Sequence, residues 1–274
     1  MMTGRAKKQF QRTVYKMGET YYRDFPWRRT RNPFHILVSE VMLQQTQAGE
    51  RTISKYKTFI KTFPTVHVLA RARLKDVLLL WQGLGYNRRA KSLRETASII
   101  VRNHNGKVPR SQQDLEALPG VGPYTAAAVC AFAFNNPAVL IETNIRSVFI
   151  HSFWGDKEGK VLDRDILPFV EETLDRSKPR VWYSALMDYG AMLKKCEKDL
   201  TRRSARYVPQ SSFKGSDRYI RGQIIKFLSQ NQQGTGRALT KSAGGDVAVV
   251  KLQLSQLVKE QLLVRCGHYY RIAD

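Results

Sequence analysis

Leu118-Pro119-Gly120-Val121-Gly122-Pro123-Tyr124-Thr125 is followed, after one alanine-rich apolar run, by Glu142-Thr143-Asn144. A Gly-x-Gly turn entering a helix points backbone N–H groups and the positive end of the helix dipole at an anion. A carboxylate shortly downstream can then act on whatever that anion is attached to. Gly-x-Gly alone is also an ordinary connection between helices. The preceding Leu-Pro, the following Tyr-Thr-Ala-Ala-Ala and the downstream carboxylate make this one specific.

Charge names the anion. The 274 residues hold 46 Lys and Arg against 23 Asp and Glu, a formal net charge of +23, and the sequence pI is near 10.2. Such a balance points to nucleic acid. The basic residues are spread along the chain rather than gathered on one amphipathic stripe, which argues against binding at a membrane surface. Hydrophobic residues make up 42% of the chain, enough for a core, yet no run approaches the roughly 18 apolar residues of a spanning helix. Met1-Met2-Thr3-Gly4-Arg5 leads into charged helix rather than a signal-peptide core. The expectation is a soluble intracellular protein with a nucleic acid as partner and no membrane. Cys130, Cys196 and Cys266 lie far apart, and the five histidines are equally scattered, so neither a disulfide framework nor a metal cage is indicated.

Working outward from the turn, the pattern is helical. Residues 5–23 read as a charged amphipathic helix ended by Phe25-Pro26-Trp27-Arg28. Pro33 suits the first turn of the next helix, where a missing N–H costs nothing, and Phe34, Leu37, Val38, Val41 and Met42 give it an apolar face through Gln47. Glu40 rides on that helix. Helical periods follow over 49–62, 66–81, 88–104, 111–117, 123–134, 143–153, 163–176 and 179–194, with short polar or Gly/Pro connections. The first two hundred residues contain no convincing strand pattern.

Composition changes after residue 194. Lys194, Lys195, Lys198, Arg202, Arg203 and Arg206 crowd a segment that runs into Pro209-Gln210-Ser211-Ser212, which reads as linker. Beyond it, 217–230 and 246–260 read as amphipathic helices and 262–272 as two short strands around a glycine turn. Helices followed by a terminal hairpin suggest a winged-helix-like module, with a plain α+β cap as the alternative. The expected domains are 1–207 helical, 208–216 linker and 217–274 winged-helix-like.

Phe25-Pro26-Trp27-Arg28, Val38 through Gln47, Trp81-Gln82-Gly83-Leu84-Gly85-Tyr86, the hairpin, and Ala185-Leu186-Met187-Asp188-Tyr189-Gly190-Ala191 occur in one order. In that order they resemble the helix-hairpin-helix (HhH-GPD) DNA glycosylases, specifically the MutY-type adenine glycosylase branch, over roughly residues 10–195. The resemblance implies a mainly α fold of two helical subdomains, here joined to the C-terminal α+β module.

It also implies roles. Glu40 is the general acid/base, consistent with chemistry that must deliver a proton to a departing base from a carboxyl on a largely apolar helix. Glu142 occupies the position of the second carboxylate, which stabilises the oxocarbenium-like sugar; the family carries aspartate there. Asn144 orients the backbone around it. Tyr124 stands where bifunctional relatives carry a nucleophilic lysine, which implies a monofunctional hydrolase with little or no strand cleavage. Trp27, Arg28 and Ser184 line the base pocket, while Gln45 and Tyr86 are wedged into the duplex to hold it open. Trp27 and Tyr86 also suit ordinary core packing. Gly120, Val121, Gly122 and Thr125 contact phosphate through the backbone, helped by Lys194, Lys195, Arg202 and Arg203. The carbonyls of Leu118 and Val121 would hold a monovalent cation.

Two departures bear on cofactor and substrate. The family's iron–sulfur cluster is held by four closely spaced cysteines, of which Cys196 alone has a counterpart here, so no cluster is expected. About 60 residues of winged-helix-like sequence also cannot be the family's Nudix-like C-terminal domain. The expected activity is base excision repair of adenine opposite guanine or 8-oxoguanine. Excision of thymine or uracil opposite guanine is the first alternative, and an inactive structure-specific DNA-binding protein, which the Glu142 departure keeps open, is the second.

Overall fold

The computed structural model describes residues 2–155, 159–197, 200–209, 212–213 and 215–273. Lys198 of the basic segment and residues 210, 211 and 214 of the expected linker lie outside them. The fold is mainly α, with fourteen α-helices and one small antiparallel sheet among the described residues. The chain divides into two compact units. One comprises 1–37, 110–117 and 121–209, the other 38–109, 118–120 and 210–274.

The first unit is built from α1 (Gly4–Thr20), the start of α2 (Pro33–Leu43), α7 (Gln112–Glu116), α8 (Pro123–Phe134), α9 (Thr143–Trp154), α10 (Asp163–Thr173) and α11 (Pro179–Cys196). Thr3 caps α1 by accepting from the Ala6 N–H at 3.2 Å. Ala126 to Ala131 are all buried, so α8 is apolar all round and lies inside the unit. Phe10, Phe149 and Trp182 from α1, α9 and α11 meet as tilted and edge-on rings with centroids 5.2 and 6.1 Å apart. Helix α1 packs closely on α11 because Gly18 has no side chain. A Cβ there would fall 2.5 Å from the Ala185 Cα.

The second unit holds the rest of α2 together with α3 (Glu50–Thr62), α4 (Val66–Arg71), α5 (Leu74–Trp81) and α6 (Arg88–Asn103). Phe59, Phe63 and Trp81 cluster edge-to-face in its core. Two boundaries in this unit differ from the sequence expectation, and in the first unit α1 and α10 each end three residues earlier than expected. Helix α2 stops at Leu43 rather than Gln47, because Gln45 takes φ +53° and turns the chain. The single helix expected over 66–81 is two, broken where Ala72 is extended and its carbonyl accepts from Arg94 Nε at 2.6 Å.

The C-terminal segment belongs to the second unit and adds α12 (Asp217–Asn231), β1 (Gln233–Thr235), α13 (Gly236–Ala243), α14 (Val247–Lys259), β2 (Leu263–Cys266) and β3 (Tyr269–Ile272). The strands are antiparallel in the order β1-β3-β2, and Gly267 turns the last hairpin at φ +60°. The order is helix, strand, two helices and a terminal two-stranded hairpin. Helix α13 and β1 are additional to the two helices and two strands expected. A three-residue strand is too short for a period-2 signal, and glycines on both flanks mask the eight-residue helix.

Candidate active site and DNA-contacting hairpin

The hairpin forms as the glycine pattern requires. Gly120 has φ +73°, and a Cβ there would also lie 2.8 Å from that of Ser92, so glycine is needed both for the turn and for the space. Gly122 is the N-cap of α8 and Pro123 its first residue, placing Tyr124 and Thr125 in the first turn. Thr125 is buried and Tyr124 half-buried. Two side chains grip the turn by its carbonyls. Thr96 Oγ1 donates to Pro119 O at 2.8 Å, and Gln44 Nε2, from just beyond α2, donates to Gly120 O at 3.1 Å.

Glu40 sits near the end of α2 and is 5% exposed among Ile36, Leu37, Val38 and Val41, all buried. What holds the end of this helix is a residue the sequence did not single out. Arg89 of α6 is buried and donates to the carbonyls of Val41 (2.9 Å), Met42 (3.0 Å) and Gln44 (2.5 Å). It also donates to Leu84 O and Gly85 O, each at 3.0 Å, and to Thr46 Oγ1 at 3.1 Å. One guanidinium therefore satisfies the open carbonyls of α2 and ties them to the Gly83–Tyr86 loop. Burial lowers the pKa of Arg89 to about 10, partly offset by Tyr86.

The two expected wedge residues share a backbone property. Gln45 and Tyr86 are non-glycine residues at positive φ, +53° and +48°, a conformation costing about 1–3 kcal/mol each. Gly83 and Gly85 are also at positive φ. The Tyr86 ring has two guanidinium neighbours, Arg89 at 5.4 Å and Arg218 of α12 at 5.5 Å from its centroid.

In the first unit Glu142 is the N-cap of α9. Its Oε1 accepts from the Asn144 N–H at 2.8 Å and the Ile145 N–H at 3.1 Å, while Asn144 Nδ2 donates to Oε2 at 3.2 Å. Glutamate is an uncommon cap, yet here the longer side chain folds back onto the same helix-terminal donors a shorter one would use. Half-buried Lys194, near the end of α11, is the cation that Glu142 influences. Burial pushes its ammonium pKa down, Glu142 pulls it back up, and Arg23 adds to the fall.

Trp27 is buried and stacks on Phe25 with centroids 4.9 Å apart. The Arg28 guanidinium is committed to protein partners. It donates to Asp188 at 2.5 and 3.0 Å, to Arg23 O at 2.9 Å and to Ser184 O at 3.4 Å. Asp188 is 1% exposed and also accepts from Arg23 Nε at 2.6 Å. Arg28 and Ser184 are thus brought together, with Asp188 and Arg23 as partners the sequence did not disclose, while Trp27 adjoins Arg28 in the chain and stacks on Phe25. Arg180 secures the same turn, donating to Arg28 O at 2.7 Å and Thr30 O at 2.6 Å.

The basic segment after α11 is divided in its tasks. Lys195 and Arg202 are exposed. Arg203 donates to Trp154 O and, at 3.0 Å, to Gly155 O, capping the end of α9. Among the described residues no three His, Cys, Asp or Glu side chains are grouped to hold a metal ion. Three cysteines, one of them buried in α8, cannot supply the four thiolates of an iron–sulfur cluster. Among the described residues no helix is long and apolar enough to cross a membrane.

Residues 38–168 match the family described as HhH-GPD superfamily base excision DNA repair protein. The adenine DNA glycosylase of Mycobacterium tuberculosis is 35% identical over 264 residues, covering 86% of this chain and 86% of that protein. The thymine/uracil-DNA glycosylase of Methanothermobacter thermautotrophicus is 34% identical over 208 residues, covering 72% of this chain and 91% of that one. Among solved structures, a thermostable thymine-DNA glycosylase is 29% identical and superposes with a TM-score of 0.60, covering 68% of this chain and 86% of that one.

Proposed function

The chain belongs to the HhH-GPD superfamily of base excision DNA repair proteins and is a DNA glycosylase, and from that premise we propose a monofunctional enzyme that removes adenine opposite guanine or 8-oxoguanine. Its substrate is a mispaired or damaged base in double-stranded DNA, and it works as a monomer in the cytoplasm or nucleoid. The observation that carries the reading is Glu142, whose carboxylate is anchored by two backbone N–H groups at the start of α9. A carboxylate fixed in this way needs no reorganisation when positive charge develops on the sugar.

In the proposed mechanism the hairpin N–H groups hold the phosphate backbone, and Gln45 and Tyr86 support the gap left by the extruded base. Glu40 donates a proton to the leaving base as the N-glycosidic bond breaks. Glu142 stabilises the oxocarbenium-like sugar, and water completes the hydrolysis. Tyr124 supplies no amine, so no Schiff base forms there. A monovalent cation at the hairpin would be held by the backbone carbonyls of Leu118 and Val121 and would add positive charge facing the phosphate. Those of Pro119 and Gly120, between them, already accept from Thr96 and Gln44. The proposed organisation is a glycosylase domain over 1–207, a linker over 208–216 and a winged-helix-like module over 217–274.

Excision of thymine or uracil opposite guanine is the second reading, favoured by the similarity to the Methanothermobacter enzyme. Duplexes carrying adenine, thymine, uracil, 8-oxoguanine or alkylated bases, treated with alkali after incubation, separate the readings. Adenine-strand cleavage that disappears in Glu40→Gln supports the first. Release of thymine or uracil alone sinks it in favour of the second, and salt-sensitive binding without any alkali-labile product points to an inactive binding protein. Borohydride should trap no covalent complex with an abasic strand.

A further inference from the structure

The C-terminal module touches the loop that ends in Tyr86. Arg218, in the first turn of α12, donates from Nη1 to Tyr86 Oη at 3.3 Å, and its guanidinium lies 5.5 Å from the ring centroid. Arg89 lies 5.4 Å from the same centroid. The ring is thus oriented by two cations and by a hydrogen bond at its hydroxyl. Of the two cations, Arg89 belongs to the helix that follows the loop, while Arg218 is 132 residues away in sequence.

Module docking has a separate anchor. Lys91 Nζ donates to Glu260 O at 3.0 Å and to Gln261 Oε1 at 3.1 Å, joining α6 to the end of α14. Arg221, one turn along α12 from Arg218, pairs with Glu260 inside the module. Arg218 instead grips a residue held at φ +48°, in a loop where Gly83 and Gly85 are also at positive φ. A strained aromatic with its hydroxyl tethered by a cation is a side chain held in one orientation at a cost, which is what a base-stack wedge requires.

We propose that Arg218 is a positioning residue of the C-terminal module that sets Tyr86 for entry into the base stack, so that the module takes part in opening the duplex. This rests on the reading of Tyr86 as a wedge. Arg218 touches no reacting atom; its contribution passes through Tyr86 and is felt before bond cleavage.

The test is a double-mutant cycle on the 274-residue chain with Arg218→Met, Arg218→Lys, Tyr86→Phe and Tyr86→Ala. Two readouts are taken. One is the fluorescence of 2-aminopurine placed beside the mispair, which reports unstacking without requiring excision. The other is the single-turnover excision rate at saturating enzyme. Arg218→Met should reduce both by roughly tenfold, Arg218→Lys should recover part of the loss, and Arg218→Met should have no further effect in the Tyr86→Ala background. Tyr86→Phe, which keeps the ring and loses the hydroxyl, should fall between wild type and Tyr86→Ala. An equal effect of Arg218→Met with and without Tyr86 overturns the coupling, since Arg218 then acts elsewhere. Unchanged 2-aminopurine fluorescence in Tyr86→Ala overturns the wedge reading itself, and the proposal with it. Arg218→Lys, which keeps charge and bulk, serves should Arg218→Met fold poorly.

Discussion

Gly190 of α11 lies against the backbone of Asn144 in α9 so closely that a Cβ would fall 2.6 Å from the Asn144 carbonyl carbon and 2.8 Å from its Cα. The contact sets how near α11 comes to the residue whose N–H and side-chain amide hold the Glu142 carboxylate. Gly190→Ala must therefore push α9 and α11 apart. The expected cost is about 1–3 kcal/mol in thermal unfolding. Displacing the carboxylate by about 1 Å should also lower single-turnover excision on the order of a hundredfold. Excision at the wild-type rate in a folded Gly190→Ala protein would count against a catalytic role for Glu142.

Glu142 itself separates the need for charge from the need for length. Aspartate is a favoured cap for a helix N-terminus, so Glu142→Asp should keep α9 capped and remain active within roughly tenfold of wild type. Glu142→Gln keeps an acceptor for the Asn144 and Ile145 N–H groups but removes the charge. Its melting temperature should hardly move, while excision falls roughly 10²–10³-fold. Equal rates for the two variants would remove electrostatic stabilisation from the mechanism.

Local punctuation explains what was legible in the sequence. The hairpin, the alanine-rich α8 and the residues resembling an active site sit where glycine, proline and 3.6-residue periodicity leave a mark on neighbouring positions. Cations whose partners are remote in sequence leave none. Arg89 reads as one more basic residue on a charged helix, yet it closes the end of α2, and the pairing of Arg28 with Asp188, 160 residues away, leaves no mark in the sequence. The Gly83-Leu84-Gly85 loop and a helix end both offer open carbonyls, but nothing local connects either of them to Arg89. Their convergence on one guanidinium belongs to tertiary structure. The eight-residue α13 was missed because its two buried positions, Leu239 and Ala243, are too few to define a period.

Arg89 should tolerate no replacement. Lysine brings a point charge with three donors in place of a planar fork and cannot span carbonyls from residues 41 to 85. Arg89→Lys should cost about 3 kcal/mol or more in denaturant unfolding, and Arg89→Met at least as much. If either melts like wild type, the α2 terminus does not depend on this contact.

Gln253 makes the opposite case. It is 1% exposed in the C-terminal module, and neither Oε1 nor Nε2 finds a hydrogen-bond partner among the described residues. An unpaired buried amide costs about 1–3 kcal/mol, so Gln253→Leu or Gln253→Met should stabilise the chain by a similar amount in thermal unfolding. Destabilisation by both would mean that the amide is satisfied in solution.

Acid stability should depend on Asp163. Arg146 Nε and Nη2 approach its two carboxylate oxygens at 2.6 and 2.8 Å, with Arg206 Nε 3.5 Å away. The hydrogen bonds from Arg146 lower the Asp163 pKa below the ordinary carboxylate value, against the opposing effect of burial, with Arg206 contributing less. A depressed carboxylate stabilises the folded state at every pH above its unfolded pKa. That contribution shrinks once pH drops below the unfolded value and is gone below the folded one. The melting-temperature difference between wild type and Asp163→Asn should therefore be constant from neutral pH down to the ordinary aspartate range, then close as the pH falls further. A gap that persists to the lowest pH at which the protein folds would show that Asp163 acts by packing rather than by its charge.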